Sequence, residues 1–198
     1  MGSDGLKIGV IGAGAWGTAL ARLLASSGNS VQLWCREPET AKNILQKHVN
    51  TSFLPDILLP ESLGASTDLL EIVRNSRILV AAPPSHLTRE IAKKIRPEIT
   101  AEHILLILSK GIEQHSLALM SEIFAEELDN LPKLAVLSGP TFAREVALDL
   151  PSAAVLACAD ETAGMLLQKC FHSDRFRIYR STDLVGVQLG GSIKNVIA

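Results

Sequence analysis

The sequence predicts an α/β fold, in which a doubly wound and mostly parallel sheet has helices on both faces. Short apolar runs of strand length alternate with helical patterns along the chain. The apolar runs are uninterrupted, which is typical of strands that are covered on both faces. A glycine-rich turn joins the first predicted strand to the first predicted helix. Together these features predict a doubly wound domain without a flexible linker.

The first strand and the first helix flank the glycine-rich turn. Residues 7–11 form the strand and residues 18–25 form the helix. Gly12, Gly14 and Gly17 lie between them with the spacing G-x-G-x-x-G. Gly12 allows a tight turn, Gly14 lets the backbone approach a pyrophosphate, and Gly17 lets helix and strand pack closely. Because N–H groups at the helix N-terminus then face the anion, the motif favours dinucleotide binding over a purely structural turn.

The remaining elements follow in order from local signals. Pro38 stands where the first turn of a helix tolerates it, and the segment 50–61, with two prolines and no clean period, predicts a loop. Strands are recognised as short apolar runs, and helices as periodic segments that begin at a capping Ser, Thr or Asp. The predicted strands are 31–34, 63–66, 78–82, 104–108, 134–137, 152–158 and 176–179. The predicted helices are 38–48, 68–73, 85–95, 116–128, 141–148, 161–170 and a last one that begins at Thr182 or Asp183.

The composition is that of a globular protein and argues against several functional classes. Of the 198 residues, 47% are hydrophobic and 20% are charged, and the net charge is −2. No run of Lys and Arg suggests a nucleic-acid surface, and no apolar run has the length of a membrane span or of a secretory signal. We therefore expect a cytoplasmic protein that binds neither nucleic acid nor membrane.

The cysteines and histidines give no sign of a metal site. Cys35, Cys158 and Cys170 are odd in number and form no C-x-x-C pair, which fits a reduced cytosolic protein. The five histidines are scattered without the spacing of metal ligands. We predict that no metal is bound.

The end of the second predicted strand bears on the choice of dinucleotide. An NAD-selective domain usually has Asp or Glu there, about 20 residues after the glycines. This chain has Trp34, Cys35 and Arg36 instead, and the planar guanidinium of Arg36 can pair with a 2′-phosphate. The alternative is an exposed arginine beside Glu37, which can still reach a ribose. The pattern favours NADP slightly, or the use of both cofactors.

Two further turns follow the carboxyl ends of predicted strands, where open α/β sheets bind ligands. Lys110 can face both a nicotinamide and an anionic substrate, or it can be a solvated loop lysine. Gly139 and Thr141 have the same placement at the next turn. Thr141 can donate its hydroxyl while N–H groups of the following first turn hold an oxyanion, or it can serve only as an N-cap.

The last predicted helix carries two glycines that need an explanation. Gly190 and Gly191 each cost about 1 kcal/mol against alanine in a helix, so a close approach to a cofactor or to another backbone is expected. Lys194 follows Gly190 by four residues and therefore lies on the same helical face. The alternative is that the glycines only allow packing and Lys194 extends to solvent.

Six segments occur in the order and spacing of a known family. They are GAGAWGTALA, LWCRE, FLPD, SKGIE, SGPTFAREVA and VQLGGSIKNVIA. The whole chain resembles the bacterial NAD(P)-dependent glycerol-3-phosphate dehydrogenases, and LGGSIKNVIA and SGPTFA are far more specific than the glycine motif. The resemblance implies reversible reduction of dihydroxyacetone phosphate to sn-glycerol 3-phosphate by NADPH or NADH, for glycerophospholipid synthesis.

The resemblance also implies roles for individual residues. The matching positions contact cofactor, substrate or both: Ala15, Trp16, Arg36 and Ala143 the cofactor, Gly139 and Thr141 the substrate, Lys110 both, and Lys194 as the catalytic lysine. Protonated Lys194 is expected to supply the proton that the developing alkoxide needs. A second cation at Lys110 is expected to lower the pKa of Lys194, so the two lysines form the predicted catalytic pair.

Members of this family continue past KNVIA into a helical domain that completes the site and holds the substrate phosphate. We expect residues 1–181 to form the NAD(P)-binding Rossmann domain and residues 182–198 to begin the helix that leads into that further domain, which this chain lacks. Cofactor binding with little activity is expected of the chain alone.

An uncovered apolar surface on the last helix is expected to promote a homodimer. The residues that form this surface are Val185, Leu189, Ile193 and Ile197.

Two alternatives to the enzyme remain open. One is a non-catalytic NAD(P)-binding module, and the other is a related β-hydroxyacid-type dehydrogenase.

Overall fold

The computed structural model describes residues 5–197, and the side chains of residues 5–193. The strands are β1 Lys7–Ile11, β2 Ser30–Trp34, β3 Gly64–Ser66, β4 Ile78–Ala81, β5 Ile104–Ile107, β6 Lys133–Ser138, β7 Ser152–Cys158 and β8 Phe176–Ser181. The helices are α1 Ala15–Ser26, α2 Pro38–Lys47, α3 Leu69–Asn75, α4 Thr88–Ile95, α5 Met120–Glu127, α6 Ala143–Ala147, α7 Glu161–Phe171 and α8 Leu184–Ile197. No helix in this described part combines the length and the apolar character that crossing a bilayer requires.

The strands form one eight-stranded sheet with the order β3-β2-β1-β4-β5-β6-β7-β8. Neighbouring strands are parallel except for β6 and β7, which are antiparallel. The chain starts in β1, moves outward through β2 and β3, and then returns to the other side of β1 at β4. This reversal of strand order is a topological switch point. The predicted doubly wound and mostly parallel sheet is confirmed.

Residues of the central strands alternate between two apolar clusters. In β4, Ile78 and Val80 belong to one cluster, whereas Leu79 and Ala81 belong to the other. Successive side chains of a strand point to opposite faces of the sheet, so the two clusters lie on opposite faces. All four residues are fully buried because helices cover both faces. This double burial is the reason that the strands read as continuous apolar runs.

Two helices begin later than the sequence predicted. Residues 116–119 are not helical, because Leu117 has a φ of 59°, in the left-handed region that a right-handed helix excludes. Helix α5 begins at Met120, where the side chain of Glu122 accepts the N–H of Leu119 at 2.7 Å. Helix α6 begins at Ala143 instead of residue 141, since the preceding residue has extended backbone with φ −109° and ψ 142°.

The first helix begins earlier than predicted. Gly14 has φ −67° and ψ 175° and is already the N-cap of α1, so the helix starts at Ala15 rather than at Thr18. The predicted helix 85–95 is also divided, because Ser85–Leu87 is a short 3₁₀ helix that precedes α4. The early start of α1 matters for the site, since it places Gly17 inside the first turn of the helix.

Candidate functional site

A cavity of about 750 Å³ opens at the carboxyl ends of the central strands. Its walls come from the glycine turn after β1, the end of β2, the segment 82–87 after β4, the segment 108–110 after β5 and the segment 141–143 before α6. The strands that border it end at one edge, because Ile11 of β1 is in register with Trp34 of β2 and with Ala81 of β4. The cavity therefore lies at the switch point of the sheet, where open α/β folds bind ligands.

The structure gives a different physical reason for glycine at each of the three motif positions. Gly12 has a φ of +116°, and a Cβ there would lie 2.9 Å from the carbonyl oxygen of Ala82. A Cβ at Gly17 would collide with the carbonyl oxygen of Gly12. Packing within the protein therefore requires both of these glycines. A Cβ at Gly14 would meet no described atom within 4 Å, so the missing side chain there leaves room for a ligand.

The N-terminus of α1 is suited to an anion. Neither a capping side chain nor an acidic residue occupies the first turn of this 12-residue helix. The N–H groups there are thus left for a ligand, and the helix dipole favours negative charge. The buried Nε1 of Trp16 has no hydrogen-bond partner among the described residues. Trp16 and Ala15 both line the cavity. The residues present therefore fit the pyrophosphate of a dinucleotide.

Charged residues stand at the end of β2. Arg36 Nε lies 2.7 Å from Glu37 Oε1, and the Arg36 side chain is 71% exposed. Cys35 lies between β2 and this ion pair and is fully buried. Burial raises the pKa of its thiol to about 12. A thiol of that pKa stays protonated at neutral pH, so the polar contacts available to a ligand here come from Arg36 and Glu37.

Lys110 is held between two parts of the sheet edge. Its Nζ donates to the carbonyl oxygen of Gly139 at 3.4 Å. On one side, Ser109 Oγ donates to the carbonyl oxygen of Pro83 at 2.6 Å. On the other side, the N–H of Gly111 donates to Ser192 Oγ of α8 at 3.1 Å. These three contacts fix the turn that carries Lys110 and connect it to α8.

An ion-pair network continues from this turn. Arg89 binds both carboxylate oxygens of Glu113, at 2.9 and 2.7 Å, and also contacts Glu126 and Glu127. The hydrogen bond from Arg89, with a second from Ser116, holds the pKa of Glu113 at about 2. These bonds to Glu113 also raise the pKa of Arg89 above its usual value. The network ties the segment after Gly111 to α4 and α5.

The glycines of α8 differ in what surrounds them. A Cβ at Gly191 would collide with Ser138 Oγ and would lie 3.8 Å from Cγ of Lys110, so close packing requires this glycine. A Cβ at Gly190 would meet no described atom within 4 Å. Lys194 belongs to the same helix, one turn after Gly191, but its side chain lies outside the described residues. Its predicted proximity to Lys110 stays a prediction.

Most of the predicted site residues converge on this edge. The glycine turn, Ala15, Trp16, Arg36, Lys110, Thr141 and Ala143 line the cavity, and Gly139 contacts Lys110. Thr141 is 5% exposed. Phe53 and Lys94 also line the cavity, although the sequence did not predict them as site residues. Phe53 lies in the irregular segment 50–61, whose FLPD letters were informative only through the family resemblance. Among residues with described side chains, no three His, Cys, Asp or Glu form a possible metal site.

Comparison with known proteins identifies the family of this chain. Residues 7–164 match the family model described as NAD-dependent glycerol-3-phosphate dehydrogenase N-terminus. A glycerol-3-phosphate dehydrogenase (NAD(P)+) of Leptospira biflexa is 44% identical over 195 residues, which are 98% of this chain and 59% of the relative. The enzyme of the same name from Paramagnetospirillum magneticum is 47% identical over 192 residues, which are 97% of this chain and 69% of the relative.

A solved structure supports the same family assignment. The crystal structure of glycerol-3-phosphate dehydrogenase from Coxiella burnetii has a TM-score of 0.92 at 36% identity, over 98% of this chain and 59% of that chain. In the comparison of sequences, this chain likewise spans 59% of the length of the Leptospira relative. The chain belongs to the NAD-dependent glycerol-3-phosphate dehydrogenase family, whose N-terminal part it matches.

Proposed function

We propose that this chain is the cofactor-binding part of an NAD(P)-dependent glycerol-3-phosphate dehydrogenase. The reaction is the reversible reduction of dihydroxyacetone phosphate to sn-glycerol 3-phosphate, which supplies glycerophospholipid synthesis. The observation that carries the proposal is the cavity at the switch point, where the glycine turn, Lys110 and Thr141 meet. The relatives described above carry the name of this activity.

The glycine turn and α1 are proposed to hold the pyrophosphate of the cofactor. The open space at Gly14 and the N–H groups of the first turn of α1 support this role. Ala15, Trp16 and Ala143 line the same cavity and are proposed as further cofactor contacts. When bound, the nicotinamide supplies the hydride in reduction and accepts it in oxidation.

The other side of the cavity is proposed to hold the substrate. Lys110 provides a cation for the cofactor and the anionic substrate, and Gly139 and Thr141 provide polar contacts beside it. Lys194 is proposed to exchange the proton at the C2 oxygen, and this role rests on the family resemblance. A lysine suits this step because it can donate the proton in reduction and recover it in oxidation.

We propose the domain boundary that the sequence predicted. Residues 1–181 form the cofactor domain, and residues 182–198 begin the helix that leads to the substrate domain. The greater length of the relatives supports this division. The Lys110 turn contacts α8 at Ser192, so the helix that leads onward is also in contact with the proposed site.

The proposed activity is tested by the oxidation of NADPH in the presence of dihydroxyacetone phosphate. We expect turnover by a protein in which this chain is joined to the C-terminal part of a relative, and little turnover by the 198-residue chain alone. Lys194→Ala in the joined protein should lower kcat by roughly 10²- to 10⁴-fold, the usual contribution of a general acid, with cofactor affinity nearly unchanged. Full turnover by the chain alone would contradict this division.

The same assay separates the alternatives. Cofactor binding without turnover by the joined protein would favour a non-catalytic NAD(P)-binding module. Turnover of a β-hydroxy acid, without turnover of dihydroxyacetone phosphate, would favour the related dehydrogenase class.

Comparing NADPH with NADH tests Arg36, for which we propose a modest NADPH preference that Arg36→Ala removes. A strong preference for NADH in the unchanged protein would exclude this role.

The motif glycines offer a matched pair of variants for the cofactor site. Gly14→Ala should leave the melting temperature nearly unchanged and weaken NADPH binding, because the new Cβ enters the space proposed for the pyrophosphate. Gly17→Ala should lower the melting temperature, because its Cβ collides with the carbonyl of Gly12. Thermal unfolding and NADPH titration of both variants provide the measurements. Wild-type affinity in folded Gly14→Ala would contradict pyrophosphate binding at this turn.

We propose a homodimer that forms through an exposed face of α8. Val185, Leu189 and Ile193 are 52%, 37% and 49% exposed, and Ile197 lies outside the described side chains. Removing this apolar area from water favours association. Light scattering should give the mass of a dimer, and Val185→Glu should shift the protein toward monomer. A monomer at high concentration of the unchanged chain would exclude the dimer.

We propose a cytoplasmic location. Cys35, Cys158 and Cys170 are free and buried, which fits a protein that folds in a reducing compartment. Fractionation of cells that produce the protein should place it in the cytosol, and recovery from the secreted fraction would contradict this proposal.

A further inference from the structure

We propose that Asn50 is a positioning residue of the cofactor cavity, and that its carboxamide holds two walls of the cavity in one arrangement. One wall is the glycine turn after β1, and the other is the irregular segment that carries Phe53. The inference rests on the proposed function, because it concerns how the chain orients the N–H groups that face the cofactor.

Asn50 is completely buried, and its carboxamide is fully used. Its Nδ2 donates to the carbonyl oxygen of Ala13 at 2.8 Å and to Thr18 Oγ1 at 2.8 Å. Its Oδ1 accepts the N–H of Phe53 at 3.2 Å. A primary amide offers two N–H donors and one carbonyl acceptor, and all three groups have partners here. No other residue type of this size supplies the same set.

The bond to Ala13 controls the direction of a neighbouring N–H. Ala13 lies between the first two motif glycines, and its carbonyl oxygen also accepts the hydroxyl of Thr18 at 3.2 Å. The peptide group that joins Ala13 to Gly14 is planar and trans, so its N–H points opposite to its C=O. A carbonyl directed toward buried Asn50 therefore directs the Gly14 N–H away from Asn50. Gly14 itself lines the cavity.

The same residue fixes the segment that carries Phe53. Besides the bond from Phe53 N–H to Oδ1, the backbone carbonyl of Asn50 accepts the N–H of Leu54 at 2.9 Å, which closes a tight turn. Leu54 is 3% exposed and anchors this turn in the core, whereas Phe53 is 47% exposed and lines the cavity. A shift of Asn50 would therefore move the glycine turn and Phe53 together.

The decisive variant is Asn50→Asp, which keeps the size of the side chain and has no donor once its carboxyl is ionised. A protonated carboxyl could still donate to the carbonyl oxygen of Ala13, so NADPH affinity is compared across pH. Once the buried carboxyl is ionised, it faces that oxygen without a hydrogen, and the turn should lose its orientation. We expect NADPH to bind about tenfold more weakly, since roughly one oriented hydrogen bond to a charged group is lost. Affinity is measured by titration well below the melting temperature of each variant.

A matched control separates positioning from general destabilisation. Asn29 Nδ2 donates to the carbonyl oxygen of Leu24 at 3.0 Å, at the opposite end of α1 from the glycine turn. Asn29→Ala should lower the melting temperature and leave NADPH affinity within about twofold of the unchanged chain, because the lost bond is far from the proposed pyrophosphate. A purely structural role for Asn50 would make the two variants alike in affinity.

A second variant keeps the test decisive if Asn50→Asp does not fold. Thr18→Val retains the shape of the side chain and removes the hydroxyl that contacts both Asn50 and Ala13. The carbonyl oxygen of Ala13 then keeps only one of its two side-chain donors, and Asn50 loses one of its two acceptors, so the turn should be held less firmly. NADPH affinity should fall, by less than in Asn50→Asp. Wild-type affinity in folded Thr18→Val would overturn the inference, as would wild-type affinity in folded Asn50→Asp. If the unchanged chain binds neither NADPH nor NADH, the proposed function fails, and this inference fails with it.

Discussion

The contact between Gly17 and the carbonyl of Gly12 is the constraint on which the arrangement of the site depends. It lets α1 start close to the end of β1. Only a residue without a side chain allows so short a distance between helix and turn, because a Cβ at Gly17 would collide with the carbonyl oxygen of Gly12. The start of α1 in turn decides which N–H groups are left without helical partners. Since β1 lies at the switch point, the turn and the start of α1 line the gap that forms where the chain connections leave in opposite directions.

Residues distant in sequence reach the same gap because parallel strands deliver their following turns to one edge. The turn after β5 brings Lys110, and the turn after β6 brings Gly139 and Thr141. Contacts from Pro83 and Ser192 then hold the Lys110 turn from both sides. The close packing of Gly191 against Ser138 lets α8 approach this edge. Cofactor and substrate functions are thus proposed to share one rigid edge of the sheet.

The sequence predicted the strands well because burial on both faces leaves an unambiguous apolar run, as in β4 and β5. Helix starts were predicted less well, because they depend on single backbone conformations. The left-handed Leu117 delays α5, and Gly14 advances α1. Asn50 was not predicted at all. Its partner Ala13 is 37 residues away, and a loop asparagine gives no periodic signal that would indicate such a long-range bond.

The pair at the end of β2 gives a physical reason for the use of both cofactors on the proposed function. Arg36 and Glu37 already neutralise each other in an exposed ion pair, which contributes little to stability. A 2′-phosphate can take the place of Glu37 beside the guanidinium, whereas a ribose 2′-hydroxyl can donate to the Glu37 carboxylate. A 2′-phosphate thus competes with Glu37 for the guanidinium, whereas a carboxylate has two oxygens and can accept the hydroxyl while it keeps its bond to Arg36. The affinities for NADP and NAD consequently differ by the difference between two exposed polar contacts, which should be small.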